Sequence, residues 1–224
     1  MGRMICKNSS FYVRAGEIVG FAGLMGAGRT ELMRSIFGKN YGIYHSGTVK
    51  IRGKEVQLNS VSSAIRHGIA YVPEDRKNLG LNLLDSIRMT IVSANLRAIK
   101  QKGLLSFDKE REVAEKYRKS LSIKARDVDT GVSTLSGGNQ QKVVLAKWMF
   151  TEADVLILDE PTRGIDVGAK YEIYRLIHTL ADQGKAVILI SSELPELLGM
   201  ADRIYTIFEG KITGEVAGSE ASQE

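Results

Sequence analysis

Cysteine, long apolar runs and concentrated charge are what this sequence has little of. A single thiol, Cys6, occurs in 224 residues. It excludes an internal disulfide and, with no metal-ligand spacing around it, reads as a bystander. No apolar stretch reaches the roughly 18 residues that a membrane-spanning helix needs, and no signal peptide is legible. The formal charge of +5 is mild for this length. Lys and Arg are scattered, without the basic block or interleaved aromatics of a nucleic-acid surface, which argues against nucleic acid as the main partner. What is present is apolar material: 43% hydrophobic content suffices for one large domain, or a domain with a subdomain, and excludes a disordered chain. The expectation is a soluble, cytoplasmic protein.

Gly23, Leu24, Met25, Gly26, Ala27, Gly28, Arg29 and Thr30 spell G-L-M-G-A-G-R-T, a phosphate-binding loop with arginine at the lysine position. The run from Glu17 to Ala22 before it reads as a short buried strand, and Glu31 to Phe37 after it as a helix. In that context successive backbone N–H groups and a helix N-terminus face the phosphates. Gly26 and Gly28 allow the positive φ that curling around a pyrophosphate demands, and Thr30 is the expected magnesium ligand. Arg29 keeps the charge but not the compact ammonium of lysine. Phosphoryl transfer depends on positioning, so this loop is expected to bind nucleotide with weak or no turnover.

Along the chain, alternation from Ser46 to Gln57 around Arg52-Gly53 reads as an antiparallel hairpin. A second hairpin is expected from Arg203 to Val216, turning at Glu209-Gly210. Leu81 to Thr134 has helical periodicity and many charges, as in Lys109 to Leu121, and reads as a helical insertion. From Leu135 to Leu198 helix and strand alternate, the pattern of a parallel sheet covered by helices. Ser219 to Glu224 reads as a polar, frayed tail.

Two further strings carry chemistry. Val155 to Leu158 is wholly apolar, as in a strand buried on both faces, and ends in Asp159 and Glu160 at the sheet edge where α/β proteins bind ligands. Asp159 is placed to hold magnesium directly or through water, and Glu160 to orient or deprotonate an attacking water. Ser136, Gly137, Gly138, Asn139 and Gln140 open a helix whose first turn leaves N–H groups exposed to an anion, with Ser136 as its cap. Val144, Leu145, Trp148 and Met149 on that helix read as an apolar side.

Glycine loop, L-S-G-G-N-Q-Q-K and L-I-L-D-E-P-T-R-G-I-D, in this order and spacing, resemble the nucleotide-binding subunit of an ABC transporter. With Y-V-P-E-D-R-K and I-S-S-E-L-P-E-L, they resemble more narrowly the second of two tandem ATPase domains in importers of ribose, xylose, galactose and similar monosaccharides. The resemblance implies an α/β fold of the P-loop NTPase type: a mixed, mainly parallel central sheet, an antiparallel β subdomain and a helical subdomain carrying the signature. It implies a single nucleotide-binding domain over residues 1–224, with its core at about 10–80 and 135–216 and the helical part at about 81–150. ATP and Mg2+ are the implied cofactors, with Gly23 to Glu31 on the nucleotide. Thr30, Glu74 and Asp159 would lie on the metal, and Glu160 and Ser192 at the reacting phosphate. Ser136 to Gln140 correspond to the signature that closes over ATP held by an opposite domain, and Asp166 to the inter-domain loop beside it.

The implied partners are a preceding tandem ATPase domain, a transmembrane permease subunit and, indirectly, a sugar-binding protein, with the chain peripheral on the cytoplasmic face of the membrane. Three positions depart from the family pattern. Arg29 replaces lysine, Glu74 replaces a glutamine that contacts magnesium and the membrane subunit, and Ser192 replaces a histidine that senses the γ-phosphate. All fall in the half-site built on this chain's own glycine loop, whereas the signature is intact. The expected division of labour is therefore ATP binding here and hydrolysis at the partner's site, in a chain excised from a protein about twice as long. A catalytically silent nucleotide clamp is the rival. A soluble ABC protein of translation or DNA repair would need a long coiled-coil insertion or a basic face, which Leu81 to Thr134 does not offer. The adenine-stacking aromatic, expected on a strand before the one containing Ser10 to Val13, is missing, and Phe11 and Tyr12 are expected to pack in the β subdomain.

Overall fold

A computed structural model describes residues 5–39, 42–44 and 46–222. The elements in chain order are β1 (Ile18–Ala22), α1 (Arg29–Ile36), β2 (Val49–Ile51), β3 (Lys54–Val56), α2 (Val61–Arg66) and β4 (Ile69–Val72). After them come α3 (Ile87–Val92), β5 (Lys100–Gln101), β6 (Leu104–Leu105), α4 (Phe107–Ser120) and α5 (Gly137–Met149). The last are β7 (Val155–Asp159), α6 (Val167–Asp182), β8 (Ala186–Ile190), α7 (Leu194–Met200), β9 (Arg203–Phe208) and β10 (Lys211–Ala217). They fall into two compact units, one of residues 1–71, 153–160 and 177–224, the other of 72–152 and 161–176.

The first unit is built on a six-stranded sheet ordered β10-β9-β1-β8-β7-β4. β1 pairs in parallel with β8 and β9, β7 in parallel with β8, and β9 with β10 antiparallel, giving the mixed, mainly parallel sheet expected. The central strands Ile-Val-Gly-Phe-Ala, Val-Leu-Ile-Leu-Asp and Ala-Val-Ile-Leu-Ile are almost wholly buried, as strands covered on both faces must be. Gly20 brings α7 close: a methyl group there would stand 3.1 Å from Ala201 Cβ and 3.2 Å from Leu197 Cδ2. Both expected hairpins form. Arg52-Gly53 and Glu209-Gly210 each take two successive positive φ angles, the turn whose twist matches the flanking strands.

Three expectations need correction here. No strand forms over Ser10 to Val13. Phe11 packs edge-on against Phe21, ring centres 5.0 Å apart, and lies 6.1 Å from Tyr205. Phe21 and Tyr205 are register partners on β1 and β9, so the aromatic ledge that captures Phe11 belongs to the main sheet and not to the small hairpin. The tail is turned where it is described, with Glu220 and Ala221 N–H donating to the Ala217 carbonyl at 3.0 and 3.1 Å; Gln223 and Glu224 lie outside the described residues.

The second unit is helical but holds a small hairpin, β5–β6, turning at Lys102-Gly103 with positive φ at both, which the charge-rich periodicity of that stretch concealed. A π-helical turn, Arg76–Gly80, follows β4 and is capped by Asp75, whose Oδ1 accepts from Asn78 N–H at 3.1 Å. Helix α5 is buried from Gln140 to Trp148 without a break, so the apolar side read from its sequence is incomplete, and Met149 is only half-buried. Three of its polar residues survive burial through specific partners, whereas Gln141 Nε2 is buried without one. Gln140 Nε2 donates to the Val132 carbonyl at 3.1 Å, and Lys142 Nζ to the Ser122 carbonyl at 3.1 Å and to Glu172 at 2.6 Å. Lys147 Nζ donates to the Gly80 carbonyl.

Burial pushes the Lys147 ammonium down from 10.5 to about 8. The unfolded chain then holds more protons than the folded one between those values, so this group's contribution to stability rises with pH across that window. Urea denaturation of the wild type and Lys147→Met, near neutrality and at about pH 10, should show the wild type gaining on the variant at the higher pH. A difference that does not move with pH would contradict the burial.

Candidate functional site

Strand register assembles the first cluster. Phe21 and Asp159 are both partners of Ile190, across the β1–β8 and β7–β8 pairs, so the residues that follow each strand emerge side by side at one sheet edge. After β1 comes the glycine loop, after β7 comes Glu160, and after β8 come Ser191 and Ser192. Open parallel sheets bind ligands at this edge.

Gly26 and Gly28 adopt φ of +79° and +102°, as the phosphate-loop reading requires. Gly23 is glycine for a different reason: a methyl group there would lie 2.5 Å from the Ile207 carbonyl oxygen on β9. Leu24 and Met25 are exposed and Ala27 is buried. Glu31 falls in the first turn of α1, where a carboxylate suits the positive end of the helix. Thr30 Oγ1 donates to Asp159 Oδ1 at 3.1 Å, and Tyr71 Oη donates to Asp159 Oδ2 at 2.6 Å. Asp159 is fully buried. Burial pushes its carboxyl above the usual carboxylate range, against the pull of the Tyr71 and Thr30 hydrogen bonds. The same burial, with the neighbouring Asp159 charge, drives the Tyr71 phenol far up, so it keeps the proton that it donates to Asp159.

Arg29 does not stand free in the loop. It is buried, Nη1 donates to the Ser191 carbonyl at 2.5 Å, and Nη2 lies 3.5 Å from Glu160 Oε1. The other oxygen, Glu160 Oε2, accepts from Ser192 Oγ at 3.1 Å. Arg29 and Ser192 therefore converge on one carboxylate, that of Glu160. Glu160 itself holds φ at +48°, an unusual conformation of the kind that collects at functional sites. Its N–H is anchored to the Ile190 carbonyl at 2.9 Å.

These residues suit Mg2+, a hard cation that takes oxygen ligands and often keeps one or two protein groups beside substrate phosphates. A hydroxyl and a buried carboxylate already lie within 3.1 Å of each other. Among the described residues no group of three or more His, Cys, Asp or Glu could form an all-protein cage, so phosphate oxygens and water would complete the shell.

The second cluster lies wholly in the second unit. Ser136 occupies the N-cap position of α5 but makes no side-chain cap bond, which corrects the capping expectation. Its Oγ instead accepts from Asn139 Nδ2 at 2.9 Å, while Asn139 Oδ1 accepts from Lys124 N–H at 2.8 Å. Asp166 Oδ1 caps α6 by accepting from Ala169 N–H at 3.0 Å. Gly138 abuts that helix, since a methyl group there would stand 2.5 Å from Ala169 Cβ. The Glu74 carboxylate is ion-paired with Arg163.

Tyr71 is the functional candidate that sequence reasoning missed. The signal was a phenol at the end of the buried run Ile69 to Val72, where a hydroxyl must find a partner. The sequence does not say which.

A family model described as ABC transporter matches residues 6–163. The chain is 54% identical to the L-arabinose transport ATP-binding protein AraG of Geobacillus stearothermophilus, over 99% of this chain and 43% of that protein. It is 53% identical to the xylose import ATP-binding protein XylG of Thermoanaerobacter pseudethanolicus, over 100% and 44%. It is 50% identical to the ribose import ATP-binding protein RbsA of Bacillus subtilis, over 97% and 44%. The chain thus spans less than half the length of these curated relatives. Among solved structures, the ATP-binding cassette MJ0796 in a dimeric post-hydrolysis state with ADP and Pi superposes with a TM-score of 0.79 at 21% identity, covering 97% of this chain and 93% of that one. The ADP conformation of the cassette MJ1267 gives 0.80 at 21%, covering 96% and 86%. At these identities the likeness establishes the fold.

Tyr71→Phe removes the donor to Asp159 Oδ2 and leaves a buried carboxylate oxygen unpaired. It should cost about 1–3 kcal/mol, read from the denaturant midpoint, and an unchanged midpoint would mean that water replaces the phenol.

Proposed function

Because the chain belongs to the ABC transporter family, we propose that it is a single nucleotide-binding domain, the second of a tandem pair, that helps power import of a monosaccharide. The observation that carries this reading is the convergence of Arg29, Thr30, Asp159, Glu160 and Ser192 at one sheet edge, with both Glu160 oxygens engaged. The glycine loop supplies backbone donors to the phosphates of ATP. Thr30 and Asp159 would hold Mg2+, which when bound neutralises charge developing on the phosphates.

Glu160 can orient an attacking water, but the Arg29 guanidinium and the Ser192 hydroxyl hold it in place. Ser192 is too short to reach where an imidazole would. The chain's own site therefore binds ATP and turns it over slowly, the direction in which the silent-clamp reading also points. Ser136, Gly137, Gly138, Asn139 and Gln140, with Asp166, serve ATP held by the preceding domain. Their N–H groups and the positive end of a 13-residue helix suit an incoming γ-phosphate. Glu74, in place of the family glutamine, is ion-paired with Arg163 and would face the membrane subunit.

Sugar import as the process rests on the names of the arabinose, xylose and ribose relatives. The permease partner and a peripheral position on the cytoplasmic membrane face follow from it. No helix of the described residues is long and apolar enough to cross a membrane.

With MgATP, the chain alone should bind nucleotide and turn it over well below about 1 s⁻¹, the lower end for working enzymes. In the two-domain ATPase, Ser136→Arg should remove about 99% or more of hydrolysis, whereas Arg29→Ala should chiefly raise the ATP concentration required. Equal loss of kcat in both variants would refute the division of labour.

A further inference from the structure

The run Tyr71-Val-Pro-Glu-Asp-Arg-Lys77 holds, besides Glu74, a second charged group that makes specific contacts, Arg76. Its guanidinium reaches from the loop that follows β4 to the loop at 163–164. Arg76 Nη1 donates to the Arg163 carbonyl at 2.8 Å, and Nη2 to the Gly164 carbonyl at 3.4 Å. The clasp is reciprocal, because the Arg163 side chain returns to pair with Glu74, two residues before Arg76. A methyl group on Gly137 would stand 2.8 Å from Arg76 Nη2 and 3.2 Å from the Gly164 carbonyl oxygen. The guanidinium, the loop at 163–164 and the first turn of α5 are thus in mutual contact.

Three physical points bear on what this arrangement does. First, a cation beside a helix N-terminus is electrostatically unfavourable, so helix stability is no reason for Arg76 to be there. Secondly, two successive loop carbonyls need donors, and a planar fork with five N–H groups can serve both, whereas an ammonium on a single stem cannot match that geometry. Thirdly, Arg76 Nε is buried with no hydrogen-bond partner; burial disfavours the charged guanidinium, a cost carried without stabilising the helix. Farther along, the same loop is fixed from its other end, where Asp166 caps α6 and Ala169 abuts Gly138. The π-helical turn that Arg76 opens is held too, by Lys147 on the Gly80 carbonyl.

We propose that Arg76 is a positioning residue that locks the Arg163–Asp166 loop to the first turn of α5, so that Ser136 to Gly138 and Asp166 meet the partner's nucleotide as one preformed surface. The functional half of this proposal rests on the reading that the signature serves a partner domain. The structural half does not.

Arg76→Lys tests it, because the charge stays while the fork is lost. Hydrogen–deuterium exchange on the chain should show amides of residues 163–169 exchanging about tenfold faster or more, with β1, β7 and β8 unchanged. In the two-domain ATPase, kcat should fall on the order of tenfold to a hundredfold, the scale of a small misplacement, with KM for ATP held. Ser136→Arg run in parallel separates the two halves. If it leaves turnover intact, the partner-serving reading fails and the functional half with it, while the exchange data judge the clasp separately. If Ser136→Arg abolishes turnover but Arg76→Lys retains full kcat, the positioning role is overturned. Unchanged exchange at 163–169 overturns the clasp itself.

Discussion

In parallel strands buried on both faces, a slip of one residue moves every side chain to the opposite layer. In this chain that constraint joins β1, β7 and β8, whose apolar residues leave no solvated face. With Phe21 and Asp159 both aligned on Ile190, the three strand ends form a fixed edge. Whatever follows each strand is delivered to that edge by the core, not by its own loop. The glycine loop, Glu160 and the Ser191-Ser192 pair are neighbours for this reason, although Arg29 and Glu160 lie 131 residues apart.

A buried edge makes charge expensive, and the partners of each charged group follow from that. Asp159 sits at no exposure, and its two carboxyl oxygens accept from Thr30 and Tyr71. Arg29 is satisfied by a strand-end carbonyl and by Glu160. Removing one partner of such a pair is worse than never having had it, because the remaining group stays dry and unpaired. The second unit obeys the same rule on α5, where Gln140, Lys142 and Lys147 are buried but individually bonded, and at Arg76, whose fork takes two carbonyls that would otherwise lack donors.

Much of the fold was legible because its signals are short-range. Wholly apolar runs marked the buried strands, and Arg52-Gly53 and Glu209-Gly210 between alternating segments marked the hairpins. The glycine spacing marked the loop. Where reading failed, the cause was tertiary. The small β5–β6 hairpin lay hidden in charged helical periodicity. Phe11 was drawn to Phe21 and Tyr205 by strand neighbours far away in sequence, and on the buried α5 Gln140, Lys142 and Lys147 found partners no local pattern displays. Ser136 holds the capping position, yet Asn139 took its oxygen.

By itself the sequence determined the class of chemistry: the residue types and spacings of a phosphate loop, a strand ending in Asp-Glu and a glycine-rich helix start are local properties of the chain. Only the tertiary structure decided how those residues are used. It turned Arg29 toward Ser191 and Glu160, set Ser192 on the same carboxylate, gave Asp159 its phenol and tied Arg76 to Arg163 and Gly164. Each of these is a choice of partner for a polar group withdrawn from water, and that choice depends on register and packing between segments distant in sequence.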